Sequence, residues 1–151
     1  MKLYLMQHGE AKSEVEDLER SLAEKGEDEV KRISRAAKRL NIRPSKVLHS
    51  GKLRAKQTSE IIANALNLPV HAVQGLNPND DIHPWAERIS KETEDLLLIG
   101  HLPFLDKLAS FLLCDNENAR VIVFRYSAIV CLDQKENKRW AVRWILVPEM
   151  V

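Results

Sequence analysis

The sequence predicts an α/β protein, a three-layer α/β/α sandwich built on a mainly parallel central sheet, and three features point there. Short apolar runs of strand length alternate with amphipathic stretches of helix length along most of the 151-residue chain. The best of these runs, Leu96-Leu97-Leu98-Ile99, is apolar at consecutive positions, the pattern of a strand covered on both faces. Two β-rich stretches close the chain with only a polar turn between them, which predicts a hairpin or adjacent antiparallel pair.

Taken in order, Leu3-Tyr4-Leu5-Met6 reads as a buried strand and is followed by a polar loop. A helix is predicted from about Leu22 to Leu40, with Val30, Ile33, Ala37 and Leu40 forming one apolar stripe at spacings of three and four. Pro44 ends that region, and Lys46-Val47-Leu48-His49 makes the second strand. Leu53 to Leu66 reads as a helix with Ile61, Ile62, Ala65 and Leu66 inward. A brief strand over Val70 to Val73 leads into the loop Gln74 to Asp81 and a helix near Ile82 to Thr93. The strand at Leu96 follows, then a helix with Leu105, Leu108, Ala109 and Leu112 on one face. Val121 to Leu132 and Trp140 to Val147 are the β-rich stretches, joined by the turn Asp133 to Lys138.

No repeat, low-complexity tract or Gly/Ser linker interrupts this order, so residues 1–151 read as a single domain. A chain of this length buries roughly two-thirds of its unfolded surface and needs neither disulfide nor metal to fold. About 44% apolar and 30% charged residues are ordinary for a globular protein, and a net charge of +1 leaves no footprint for nucleic acid and no polybasic membrane patch. The two cysteines, Cys114 and Cys131, form no metal-ligand pair and read as reduced core thiols, hence a cytoplasmic protein. Gln7 and His8 break the opening apolar run before it reaches signal-peptide length, and no run is long enough for a membrane span. None of the five histidines has the i, i+4 spacing of an H-E-x-x-H helix, which argues against a metal hydrolase.

In doubly wound sheets ligands bind at the carboxyl ends of the strands. Three strands end in Gln7-His8-Gly9-Glu10, in Ser50-Gly51-Lys52-Leu53-Arg54 and in Gly100-His101, so two histidines and an arginine converge at one sheet edge. Phosphoryl transfer suits this set: a neutral imidazole attacks phosphorus, and a planar guanidinium and a second donor hold the equatorial oxygens. Gly9 lets backbone approach closely, and helix N-termini near Leu53 and Leu102 offer free amides to an anion. Taken singly, each residue also has a structural reading. A strand-end histidine is commonly hydrogen-bonded in place, a first-turn arginine is commonly solvated, and His101 before Leu-Pro can serve a loop carbonyl.

Five blocks in order then resemble the histidine phosphatase superfamily, with its phosphoglycerate mutase-like fold, and within it the short SixA-type phosphohistidine phosphatases. They are Met6-Gln7-His8-Gly9-Glu10-Ala11, Arg20-Ser21-Leu22-Ala23-Glu24-Lys25-Gly26, Ser50-Gly51-Lys52-Leu53-Arg54-Ala55-Lys56-Gln57-Thr58, Gly100-His101-Leu102-Pro103 and Tyr126-Ser127-Ala128. The resemblance implies that His8 becomes transiently phosphorylated, that Arg54 binds phosphoryl oxygens, and that His101 stabilises charge in the transition state. It places Arg20 at the rim of the pocket; Gln7, Gly9 and Lys52 are further substrate-binding candidates by their positions beside His8 and Arg54. It implies no metal or organic cofactor, and as substrate a phosphorylated protein such as a histidine phosphotransfer-type domain, or a small phosphoester. Glu10 and the acids between Asn77 and Asp81 are the general-acid candidates.

Two positions depart from the family pattern. Gln7 stands where the family has arginine; it can donate a hydrogen bond but supplies no charge and no fork. Gly51 stands where proline is usual, and Lys52 beside it reads either as a compensating charge or, more commonly for such a lysine, as a solvated one. An attenuated phosphatase and a phosphate- or phosphoprotein-binding module that has lost most catalysis are therefore both open readings.

Overall fold

The computed structural model describes residues 1–151. Six strands and four helices follow one another as β1 (Lys2–Gln7), α1 (Glu24–Arg39), β2 (Lys46–His49), α2 (Leu53–Leu66), β3 (Val70–Ala72), α3 (His83–Ser90), β4 (Leu96–Gly100), α4 (Phe104–Cys114), β5 (Ile129–Gln134) and β6 (Trp140–Leu146), with a short 3₁₀ turn over Pro148–Met150. The strands form one sheet in the order β3-β2-β4-β1-β5-β6. The first four in sequence are mutually parallel, and β5 and β6 add an antiparallel pair beside β1. The sheet is therefore mixed, parallel in its larger part.

Alternation along the continuous apolar runs sorts the core into two layers. Leu3, Leu5, Leu48, Leu96, Leu98, Val130 and Leu132 point to one face, where they meet Trp85 and Ile89 of α3 and Leu105 and Leu108 of α4. Tyr4, Met6, Val47, Leu97, Ile99, Ile129 and Cys131 point to the other, against Val30, Ile33 and Ala37 of α1 and Ile62 of α2. A strand needs no polar face when helices cover both sides. Burying β1 and β4 in the middle fixes their carboxyl ends, Gln7 and Gly100, opposite each other in the ladder. No helix is long and apolar enough to cross a membrane.

Three differences from the sequence reading have a visible cause. α1 starts at Glu24, because Leu22 is held in a bridge with Ala11 and gives its N–H to the Gln57 side chain at 2.8 Å. α3 stops at Ser90, where Lys91 and Glu92 bond back three residues to Arg88 and Ile89 and tighten the final turn. The segment 121–128 is not strand, despite its β-branched residues. Its entry is tied to α4, with the Arg120 N–H on Ser110 Oγ at 2.9 Å and its guanidinium on Asp106 at 3.3 Å. Left-handed backbone at Arg120 (φ 49°) and Ser127 (φ 66°) then breaks any extended run. Packing against a helix has overridden β-propensity here.

Candidate active site

His8 follows the last residue of β1, and its ring is almost wholly buried at 4% exposure. Its backbone N–H continues the ladder to the Gly100 carbonyl at 3.1 Å. Nδ1 lies 2.7 Å from the carbonyl oxygen of Gly9. A carbonyl only accepts, so Nδ1 carries the proton and Nε2 presents a bare lone pair. Arg54, in the first turn of α2, donates from Nε to that lone pair at 3.2 Å. Burial, reinforced by the charges of Arg54 and Arg20, lowers the His8 pKa to about 4, so the ring is neutral at physiological pH.

His101 follows β4 and its ring centroid lies 5.0 Å from that of His8. Its Nε2 is 2.6 Å from Ser50 Oγ, while Nδ1 is buried without a partner. A buried N–H with no acceptor is the rarer defect, so the proton belongs on Nε2, donating to Ser50. Burial first, then the neighbouring His8, Arg54, Lys52 and Arg20, pushes its pKa down to about 3.

The loop between β1 and α1 carries Arg20 toward this pair. Arg20 has left-handed backbone (φ 54°) and anchors Nε on the Lys12 carbonyl at 3.0 Å. The turn before it is set by the Asp17 carboxylate, which accepts from the Ser21 hydroxyl and from the Ser21 and Glu19 amides and is thereby held below the usual carboxylate range. Arg20, Lys52 and Arg54 line a cleft of about 490 Å³ together with Glu14, Leu18 and Lys56. Lys52 itself is exposed at the start of α2.

Gly9 earns its identity by contact. A Cβ there would sit 2.8 Å from Val30 Cγ2 and 3.0 Å from the Gly26 carbonyl oxygen, so only glycine lets α1 close over the loop. Gln7 ends β1, is nearly buried, and its carbonyl accepts from Ser127 N–H at 3.0 Å. Glu10 is half-buried; its carbonyl accepts from Ala23 N–H at 2.9 Å. In the loop from Asn77 to Asp81, Asp80 accepts from Asn77 N–H at 2.9 Å and Asp81 from His83 N–H at 3.1 Å, so both serve their own loop.

Several residues of the site carried no assigned part in the sequence reading. Ser50 is the partner of His101. Thr58 Oγ1 accepts from Gly9 N–H at 3.0 Å and donates to the Arg54 carbonyl at 2.7 Å, tying the His8 turn to α2. Gln57 does the same for Leu22. Tyr126 pairs with Gln7 in an isolated bridge, and its ring lies 5.5 Å from that of His8. Spacing alone signals Thr58, which lies four residues after Arg54 on the same helix face. Tyr126 becomes visible only when β5 is known to run antiparallel beside β1 and so to begin at the same edge.

Gly51 adopts φ 91°, which a proline ring, fixed near −65°, cannot reach. The loop here has a shape that the family's usual residue does not allow.

Comparison with known proteins identifies the family. The family model of the histidine phosphatase superfamily (branch 1) matches residues 3–80. The phosphohistidine phosphatase SixA of Escherichia coli strain K12 is 31% identical over 144 residues, spanning 91% of this chain and 89% of that protein. A structure of the protein histidine phosphatase SixA complexed with tungstate superposes with a TM-score of 0.87 at 27% identity, covering 99% of both chains. The alpha-ribazole phosphatase of Shigella flexneri shares the fold, with a TM-score of 0.82 at 15% identity over 98% of this chain and 97% of that one. The chain therefore belongs to the histidine phosphatase superfamily, is similar to SixA-type members of it in sequence and fold, and is a phosphatase.

Proposed function

We propose that this phosphatase removes the phosphoryl group from a phosphorylated histidine on a partner protein, in the cytoplasm, through a covalent phosphohistidine on its own His8. The tautomer of His8 carries this reading: Nδ1–H is committed to the Gly9 carbonyl, and the Nε2 lone pair is turned toward Arg54. Activated imidazole needs no general base, because the depressed pKa leaves it neutral and ready to attack. The similarity to SixA, a phosphohistidine phosphatase, supports the substrate class.

In the first step His8 Nε2 attacks phosphorus in line. The bond from phosphorus to the substrate imidazole nitrogen breaks, its electron pair leaves with that nitrogen, and the departing imidazole takes a proton from solvent water. Arg54 shifts its donor from Nε2 to the phosphoryl oxygens, and the His101 Nε2–H moves from Ser50 to the same oxygens, both gaining strength as charge develops there. Arg20 and Lys52 add positive potential at the rim, and Gly9 admits the close turn. Water then attacks phosphorus on the opposite side, inorganic phosphate leaves, and His8 Nε2 regains its lone pair. An imidazole leaving group protonates readily, so Glu10 is at most an accessory acid and no metal or organic cofactor enters the scheme.

The absence of a guanidinium at Gln7 favours a slow enzyme and gives the second reading, a phosphoprotein-binding module, its footing. The two are separated by turnover of a phosphorylated histidine phosphotransfer domain. The enzyme reading expects slow, measurable release of phosphate that falls to background in His8→Ala. Equal rates for the two proteins, with binding to the phosphorylated domain retained, would leave the binding module standing instead.

A further inference from the structure

Tyr126 is 37% exposed and its ring lies 5.5 Å from that of the nearly sealed His8, so it forms part of the solvent-facing wall beside the nucleophile. The ring is set at 44° to that of His8, and the backbone is tied on both sides of it. Its carbonyl accepts from Arg125 Nη1 at 2.6 Å. The Arg125 guanidinium is itself clamped by the buried Glu29 of α1 through two bonds of 2.9 and 3.0 Å, and also pairs with Glu149. On the other side Ser127 takes left-handed backbone (φ 66°) to give its N–H to the Gln7 carbonyl. Strain of that kind, kept beside a reacting group, points to a side chain that must be aimed.

We propose that Tyr126 selects the leaving group: its ring stacks on the flat imidazole of the substrate phosphohistidine while the phosphoryl group lies against His8, Arg54 and His101. The inference rests on the phosphohistidine reading above and adds to it a residue that sets specificity. Stacking rewards a planar aromatic leaving group and gives nothing to an aliphatic amine or alcohol. It also suits a site whose nucleophile lacks an arginine neighbour at position 7, since affinity for the leaving group substitutes for affinity for the phosphate. Arg125 and Glu29 are positioning residues that act through the Tyr126 backbone.

The test compares kcat/KM of the unmutated protein, Tyr126→Ala and Tyr126→Phe on phosphoimidazole and on phospholysine, whose leaving amine is not planar, with the fold checked by circular dichroism. Tyr126→Ala is expected to lose about tenfold on phosphoimidazole, chiefly in KM, and less than about twofold on phospholysine, while Tyr126→Phe stays within about twofold of the parent on both. Equal losses on both substrates, no loss on either, or a Tyr126→Phe that falls with Tyr126→Ala would each overturn the stacking role. Failure of the unmutated protein to exceed His8→Ala on either substrate is a different outcome: it removes the phosphohistidine reading, and this inference with it.

Discussion

Gln7 lies one residue before the proposed nucleophile, buried at the end of β1, where an arginine would bring a charge that glutamine lacks. A charge-assisted hydrogen bond contributes about 1.5–3 kcal/mol, more when it tightens in the transition state. Gln7→Arg is therefore expected to raise kcat/KM on small phosphomonoesters at least about tenfold. An unchanged rate in that assay means that Arg20, Lys52 and Arg54 already saturate the phosphate. Burial is the main reason both histidines are neutral, and neighbouring charge adds to it: Arg54 and Arg20 at His8, and Arg54, Lys52 and Arg20 at His101. At this scale His8, Arg54 and His101 were legible in the sequence because each directly follows a strand or opens the helix after one, and strand ends locate sites in this architecture. Ser50 and Tyr126 were not, because their parts depend on side-chain and strand placement that local pattern does not encode.

Two helices hold the loop around His8, and glycine decides how closely α1 does so. Gly26 lies in the first turn of α1, and a Cβ there would meet the Glu10 backbone at 2.1 Å from its oxygen and 2.7 Å from its nitrogen. Helix propensity alone favours alanine over glycine by about 1 kcal/mol. Contact with backbone that cannot give way outweighs that term, so Gly26→Ala is expected to destabilise by about 3 kcal/mol and to lower activity, since Glu10 is two residues from His8. Urea unfolding checks the sign; a stabilised Gly26→Ala would mean that α1 does not dock as described. Helices α1 and α2 and the four parallel strands were readable because period and length agree along each run. The segment 121–128 misled, because its alternation of Ile122 inward and Val121 and Val123 outward is that of a strand. What it lacks is a neighbouring strand, and a single sequence does not display its neighbours.

The molecule as a whole carries the cost of keeping two imidazoles neutral under a sheet edge. The folded pKa of His8, about 4, lies below the unfolded value near 6.5, so between those values the unfolded chain binds more protons. Stability attributable to this group is complete above about pH 6.5 and is lost as pH falls toward 4, by about 3 kcal/mol at most. His101 acts in the same direction. Denaturant melts at pH 7 and pH 4.5 are expected to show this decline, and a smaller one in His101→Gln; a flat profile would mean that the imidazoles are more hydrated than their burial implies. The mixed sheet, with β5 and β6 antiparallel beside the parallel core, brings the Tyr126 segment to the edge where His8 stands. Rapid quenching of turnover on a phosphorylated phosphotransfer domain, followed by mapping of any phosphoryl adduct by mass spectrometry, tests the central proposal most directly. The account predicts an acid-labile, alkali-stable adduct on His8, absent in His8→Ala; phosphate release with the adduct on another residue, or with none in a burst that should accumulate it, would contradict it.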